Sequence, residues 1–216
     1  MLNMLNRLSG TLGPRAVAVL LLMSATASAY SAPKTVLVLG DSLSAEYGLA
    51  RGAGWVALAE QKLKQNHIDA EIVNASVSGE TTSGGRSRLP ALLNKYKPSV
   101  VVIELGANDG LRGLPVTAAE ANLRAMSEAA AKADAKVMLI GMRMPPNYGR
   151  DYADKFYAMY GKLSQDIKAP LVPFMLEGVA EKPQLFQADR LHPLAEAHPI
   201  ILANIWPVLQ KTIKAK

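Results

Sequence analysis

The chain has 216 residues, 50% of them hydrophobic and 19% charged, with a formal net charge of +6 and no cysteine. Such a composition excludes a disordered chain and a polytopic membrane protein. The missing thiols exclude a cysteine nucleophile, a cysteine metal site and any stabilising disulfide. The length suits one globular domain with a single substantial core.

The N-terminal stretch reads as an export signal. Arg7 and Arg15 precede the apolar run Ala16 to Met23, which is followed by the small residues Ala25, Ala27, Ser28 and Ala29. The run is far shorter than the roughly 20 residues a membrane span needs. Cleavage after Ala29 is therefore expected, giving residues 1–29 as signal peptide and 30–216 as the mature domain, delivered to the periplasm or secreted. Loss of the two arginines leaves a mature charge of +4, scattered without a Lys/Arg block, which gives nucleic acid no footprint.

Along the mature chain, apolar β-rich runs alternate with segments of helical period, the pattern of βαβ units around a mostly parallel sheet. The first strand spans Thr35 to Leu39, a continuous apolar run suited to a centre covered on both faces. Trp55, Leu58, Ala59 and Leu63 then fall at helical spacing, with polar residues between them. A strand over Ala70 to Val77 follows, then a Gly/Ser/Thr-rich strand-to-helix turn over Ser78 to Ser87 and a helix around Leu89 to Tyr96. The third strand is Val100 to Leu105. The next helix opens with Thr117 and Glu120, whose three-residue separation suits a capping box. Strand Lys136 to Met142, a helix over Tyr152 to Ile167, strand Leu171 to Phe174 and a last helix carrying Leu194, Ile201, Ile205, Val208 and Leu209 complete the order. Five strands flanked by helices predict a three-layer α/β/α sandwich.

In such a sheet, right-handed crossovers bring every strand-to-helix loop to one edge. Four loops there carry chemistry: Gly40-Asp41-Ser42-Leu43, Ser78-Gly79-Glu80-Thr81, Gly106-Ala107-Asn108-Asp109, and Asp189 to Pro193. Ser42 follows a buried strand, and Gly40 permits the tight turn that lifts a hydroxyl into an opening. Taken alone, Gly-Asp-Ser is also a common turn, and Ser42 could cap a helix. A serine hydroxyl becomes nucleophilic only beside a base titrating near neutrality. Of the three histidines, His67 sits at a predicted helix end and His198 lies in the last helix near no carboxylate but Glu196. His192 follows Asp189 by three residues, a spacing at which one loop can hold the carboxylate against the imidazole; a self-satisfied surface turn would have the same sequence. Gly79 offers a backbone N–H and Asn108 an amide to a developing oxyanion, with the Ser42 N–H a third donor. Each is also an ordinary turn-former.

Four blocks in order, GDSLSAEYGL from Gly40, NASVSGETTSGG from Asn74, ELGANDGLRGLP from Glu104 and DRLHP from Asp189, resemble those of the SGNH hydrolase superfamily, also called the GDSL esterase/lipase family. The resemblance covers most of the mature chain. It implies a flavodoxin-like sheet, Ser42 as nucleophile, Asp189 and His192 completing a triad, and Ser42, Gly79 and Asn108 as the oxyanion hole, with no metal or cofactor. GANDGLRG and the later PPNYGRDY are most similar to bacterial periplasmic multifunctional thioesterase, lysophospholipase and arylesterase enzymes. Arg190 departs from the pattern, many relatives carrying Gly there, which puts substrate preference rather than chemistry in question. Leu111, Leu114, Met144 and Pro145 are candidates to line an acyl groove, or else pack loop against core. A carbohydrate acetyl-esterase of the same superfamily and a noncatalytic lipid-binding domain are the alternative readings. A dinucleotide-binding Rossmann domain lacks its G-x-G-x-x-G here.

Overall fold

A computed structural model describes residues 33–215. The expected signal peptide and the bond after Ala29 lie outside the described residues.

The sheet is formed by β1 (Lys34–Gly40), β2 (Ala70–Asn74), β3 (Val100–Glu104), β4 (Lys136–Ile140) and β5 (Leu171–Val172). Their spatial order is β2-β1-β3-β4-β5, and every pairing is parallel. Val36 to Leu39 and Val100 to Ile103 have essentially no exposed surface, as strands covered on both faces require. Each such Val, Leu or Ile contributes about 1.5–3 kcal/mol on burial.

Among the described residues, six α-helices cover the sheet: α1 (Trp55–Gln65), α2 (Thr82–Tyr96), α3 (Ala107–Leu111), α4 (Val116–Lys132), α5 (Arg150–Ile167) and α6 (His198–Lys214). α1 packs with α6, while α4 packs with both α2 and α5, giving the two helical layers of an α/β/α sandwich. The strand order reverses direction between β1 and β3. In open α/β sheets that point leaves a crevice at the carboxyl ends of the strands, so the loops after β1 and β3 face each other across it.

Several boundaries differ from the sequence expectation. α2 begins at Thr82, seven residues before Leu89, because Thr81 caps it by accepting from the Gly84 N–H; the glycine-rich stretch is helix, not turn, from there on. The Thr117–Glu120 capping box does not form. α4 starts at Val116 behind Pro115, with no side-chain cap, so Thr117 already lies inside the helix. Glu120 instead pairs with Arg124 at 3.4 Å and Lys162 at 3.1 Å. β2 ends at Asn74, although the Ala75 and Val77 N–H groups still donate to the carbonyls of Val38 and Gly40. β4 and β5 are likewise shorter than their apolar runs. α3, a helix of five residues, had no periodicity long enough to announce it.

Candidate active site

Ser42 sits in the turn that leaves β1. The Asp41 side chain shapes that turn by accepting from the Leu43 N–H through Oδ1 at 3.0 Å, and the Asp41 carbonyl accepts from the Ser44 and Ala45 N–H groups. Gly40 is required by close approach: a Cβ there would fall 2.7 Å from Glu104 Oε2 and 2.8 Å from the Ser44 side chain.

From the other end of the chain, residues 186–193 form a loop closed by an isolated antiparallel bridge between Phe186 and Pro193. The Gln187 N–H donates to the His192 carbonyl at 2.8 Å. Inside that loop Asp189 Oδ1 accepts from the N–H groups of Leu191 and His192, and Oδ2 lies 2.6 Å from His192 Nδ1. His192 Nε2 lies 2.9 Å from Ser42 Oγ, across 150 positions of sequence. With a carboxylate facing Nδ1, the proton of a neutral imidazole resides there and Nε2 is left to accept from the hydroxyl. The His192 hydrogen bond, followed by the Leu191 N–H, lowers Asp189 to about 2, so the carboxylate is charged throughout the neutral range.

The loops after β2 and β3 meet the same place. Gly79 has φ +77°, a left-handed conformation that favours glycine, and its carbonyl accepts from Arg112 Nη2 at 3.0 Å. Asn108, in the first turn of α3, donates through Nδ2 to the Glu80 carbonyl at 2.9 Å and to Asp41 Oδ2 at 3.1 Å. Its amide nitrogen thereby links the loops after β1, β2 and β3. Asp109, next along, accepts from the Thr82 N–H at 2.8 Å and hydroxyl at 2.6 Å, docking the start of α2 onto α3.

A pocket of about 610 Å3 opens beside Ser42, Asn108 and His192. Leu111, Met144 and Pro145 line it, together with Met142, Phe174 and Leu176. Leu114 does not: it is exposed, and its carbonyl accepts from the Tyr152 hydroxyl. Arg190 reaches the pocket from a backbone at φ +58°, where a glycine would sit without strain. A larger cavity of about 820 Å3 lies at the opposite, amino-terminal edge of the sheet near Lys136 and Leu171. It holds no paired nucleophile and base, so size alone does not locate the chemistry.

Two features escaped the sequence. Tyr47 packs its ring against His192. Behind the Ser42 turn, Glu104 Oε2 accepts from the Ser44 hydroxyl at 2.6 Å and the Asp41 N–H at 3.3 Å, and Trp55 Nε1 donates to the same hydroxyl at 3.2 Å. Burial, reinforced by the neighbouring Asp41 charge, pushes Glu104 well above the usual carboxylate range; burial also raises Asp41, to about 6. A lone carboxylate closing a wholly apolar strand was the available signal for Glu104. His198 is no surface residue: it begins α6, is buried, and accepts from the Trp55 N–H through Nδ1 at 3.0 Å, satisfying the first donor of α1.

Residues 38–200 match the model of the GDSL-like lipase/acylhydrolase family. The chain belongs to that family. It is 48% identical over 180 residues to an esterase, TesA, of Pseudomonas aeruginosa, covering 83% of this chain and 90% of the other. It is 44% identical over 171 residues to thioesterase 1/protease 1/lysophospholipase L1 of Escherichia coli K12, covering 79% and 81%. A crystal structure of TesA superposes with a TM-score of 0.81 at 47% identity, covering 83% of this chain and 99% of that one. This GDSL-family chain is an enzyme of the hydrolase class, and its five-stranded parallel α/β sandwich is the family fold.

Proposed function

We propose that the protein hydrolyses acyl esters and thioesters through an acyl-enzyme on Ser42, with His192 as general base and Asp189 as its orienting partner. The reading rests above all on the unbroken row from Asp189 Oδ2 through His192 to Ser42 Oγ, with separations of 2.6 and 2.9 Å. As Ser42 Oγ attacks the acyl carbonyl, its proton passes to His192 Nε2, and Asp189 stabilises the imidazolium. The developing oxyanion takes hydrogen bonds from the Ser42 and Gly79 N–H groups and the Asn108 amide. His192 then protonates the departing alcohol or thiol, and a water activated by the same imidazole releases the acid.

The apolar lining of Leu111, Met142, Met144 and Phe174 supports an acyl chain in the pocket. The names of the Pseudomonas and Escherichia coli relatives extend the substrate class to esters, thioesters and lysophospholipids. We place the enzyme in the periplasm or outside the cell, as one mature domain from Tyr30, on the strength of the Arg7-to-Ala29 signal pattern.

A hydrolysis panel tests this reading: acyl-CoA thioesters, lysophospholipids, aryl esters of graded chain length and acetylated sugars, with Ser42→Ala as control. Turnover of the first three classes, lost in Ser42→Ala, is the expected result. Equal turnover by Ser42→Ala, or turnover of acetylated sugars alone, overturns it.

A further inference from the structure

The mechanism above leaves one buried acid beside the nucleophile unused. Asp41 has 1% of its surface exposed, and a carboxylate so desolvated is costly unless its oxygens are engaged. They are engaged by the site itself. Oδ1 accepts from the Leu43 N–H, which sets the turn around Ser42, and Oδ2 accepts from Asn108 Nδ2. The titratable groups facing it are Glu104 at the end of β3, Asp109 in α3 and His192. Glu104 is bound to the Ser44 hydroxyl and the Asp41 N–H, and Asp109 is bound to Thr82.

The amide of Asn108 has two ends that differ only in chemistry. Turned one way it offers N–H donors to an oxyanion; turned the other way it offers a carbonyl oxygen that repels one. Two acceptors, Asp41 Oδ2 and the Glu80 carbonyl, both engage Nδ2. Of these only Asp41 is a side chain, and it adjoins the nucleophile in sequence. Resting on the proposal that Asn108 is an oxyanion donor, we infer that Asp41 is a positioning residue: its carboxylate holds the Asn108 amide with the nitrogen toward Ser42. In the reaction the oxyanion shares that hydrogen in a three-centre arrangement with Oδ2. The donor is thus aimed before substrate arrives, as preorganised stabilisation demands.

A double-mutant cycle between the two residues tests this, with kcat and KM measured on one aryl ester and folding checked by circular dichroism. Asn108→Ala is expected to lower kcat by about 100- to 1,000-fold. Asp41→Ala is expected to lower kcat by on the order of 100-fold, near the loss of one oxyanion donor, with KM changed less than about twofold because ground-state binding is untouched. Asp41→Asn keeps an acceptor oxygen at the same place and is expected to recover about tenfold of that loss; should Asp41→Ala fail to fold, Asp41→Asn carries the cycle. In the Asn108→Ala background either change at position 41 is expected to cost less than about threefold, since the group it positions is gone.

A merely structural role would make the two losses multiply. Multiplicative losses, or a folded Asp41→Ala enzyme with undiminished kcat, overturn the inference while leaving the proposed acyl-enzyme intact. An Asn108→Ala enzyme as fast as the native one overturns both the oxyanion assignment and this inference.

Discussion

The ring of Tyr47 lies against the imidazole of His192, with centroids 4.3 Å apart and planes inclined by 38°. Tyr47 is half exposed, and its carbonyl accepts from Gln187 Nε2 at 2.9 Å, which ties it to the loop that carries His192. An aromatic pair of this kind contributes about 0.5–1.5 kcal/mol, here toward keeping the imidazole in line with Ser42. Tyr47→Ala is therefore expected to lower kcat/KM by roughly 2- to 13-fold, while Tyr47→Phe, which preserves the ring, stays near native. Steady-state kinetics on an aryl ester distinguishes the two.

Asp189 carries a different expectation, because its carboxylate is favoured in the folded state. With the His192 bond lowering it to about 2, against about 3.9 in an unfolded chain, its contribution to stability is present above about pH 4 and lost as pH falls toward 2. That contribution is small, since the side chain is 39% exposed and solvent screens it. Asp189→Asn should thus leave the melting temperature at pH 7 nearly unchanged and lower kcat on the order of 10^4-fold, by letting His192 adopt the wrong tautomer. A large loss of stability with intact turnover would contradict this division.

His198 should act in the opposite way, on stability and not on turnover. Burial lowers its pKa below 6.5, so the folded state holds it neutral and the unfolded chain binds the proton more readily. Stability is full above about pH 6.5 and declines as pH falls below that value. His198→Phe leaves the Trp55 N–H without its acceptor, at a cost of about 1–3 kcal/mol, and abolishes this part of the pH dependence. Urea unfolding at pH 7.5 and pH 5.5 measures both effects.

Gly106 joins β3 to α3 at φ +122°, and an added Cβ would meet the Tyr160 hydroxyl oxygen at 2.3 Å. That hydroxyl donates to the Leu105 carbonyl at 3.0 Å. Gly106→Ala is expected to cost about 1–3 kcal/mol in backbone strain alone and to lower kcat by displacing Asn108, two residues on. Thermal unfolding and kcat measured together check the linkage; an unaffected melting temperature would refute it.

The strands were legible because Thr35 to Leu39 and Val100 to Ile103 are uninterrupted apolar runs, which only a doubly covered sheet accommodates. The meeting of Ser42 with Asp189 and His192 could be argued from the shared edge of a parallel sheet and the three-residue spacing within one loop. The start of α2 was obscured because Gly84 and Gly85 read as turn, although Thr81 provides the cap. Gly85 is there for packing: a Cβ would come 2.3 Å from Leu105 Cδ1. The Asp41–Asn108 and Tyr47–His192 contacts were not legible. Each depends on side-chain directions across the crevice, and no periodicity or spacing records those.

In the proposed reaction Ser42 Oγ is the nucleophile and His192 activates it. Mass spectrometry of the folded protein after treatment with a fluorophosphonate reads it directly. One adduct is expected, carried on the peptide containing Ser42, absent from Ser42→Ala and formed far more slowly in His192→Ala. A folded, active protein that takes no adduct, or takes it on another residue, would contradict it.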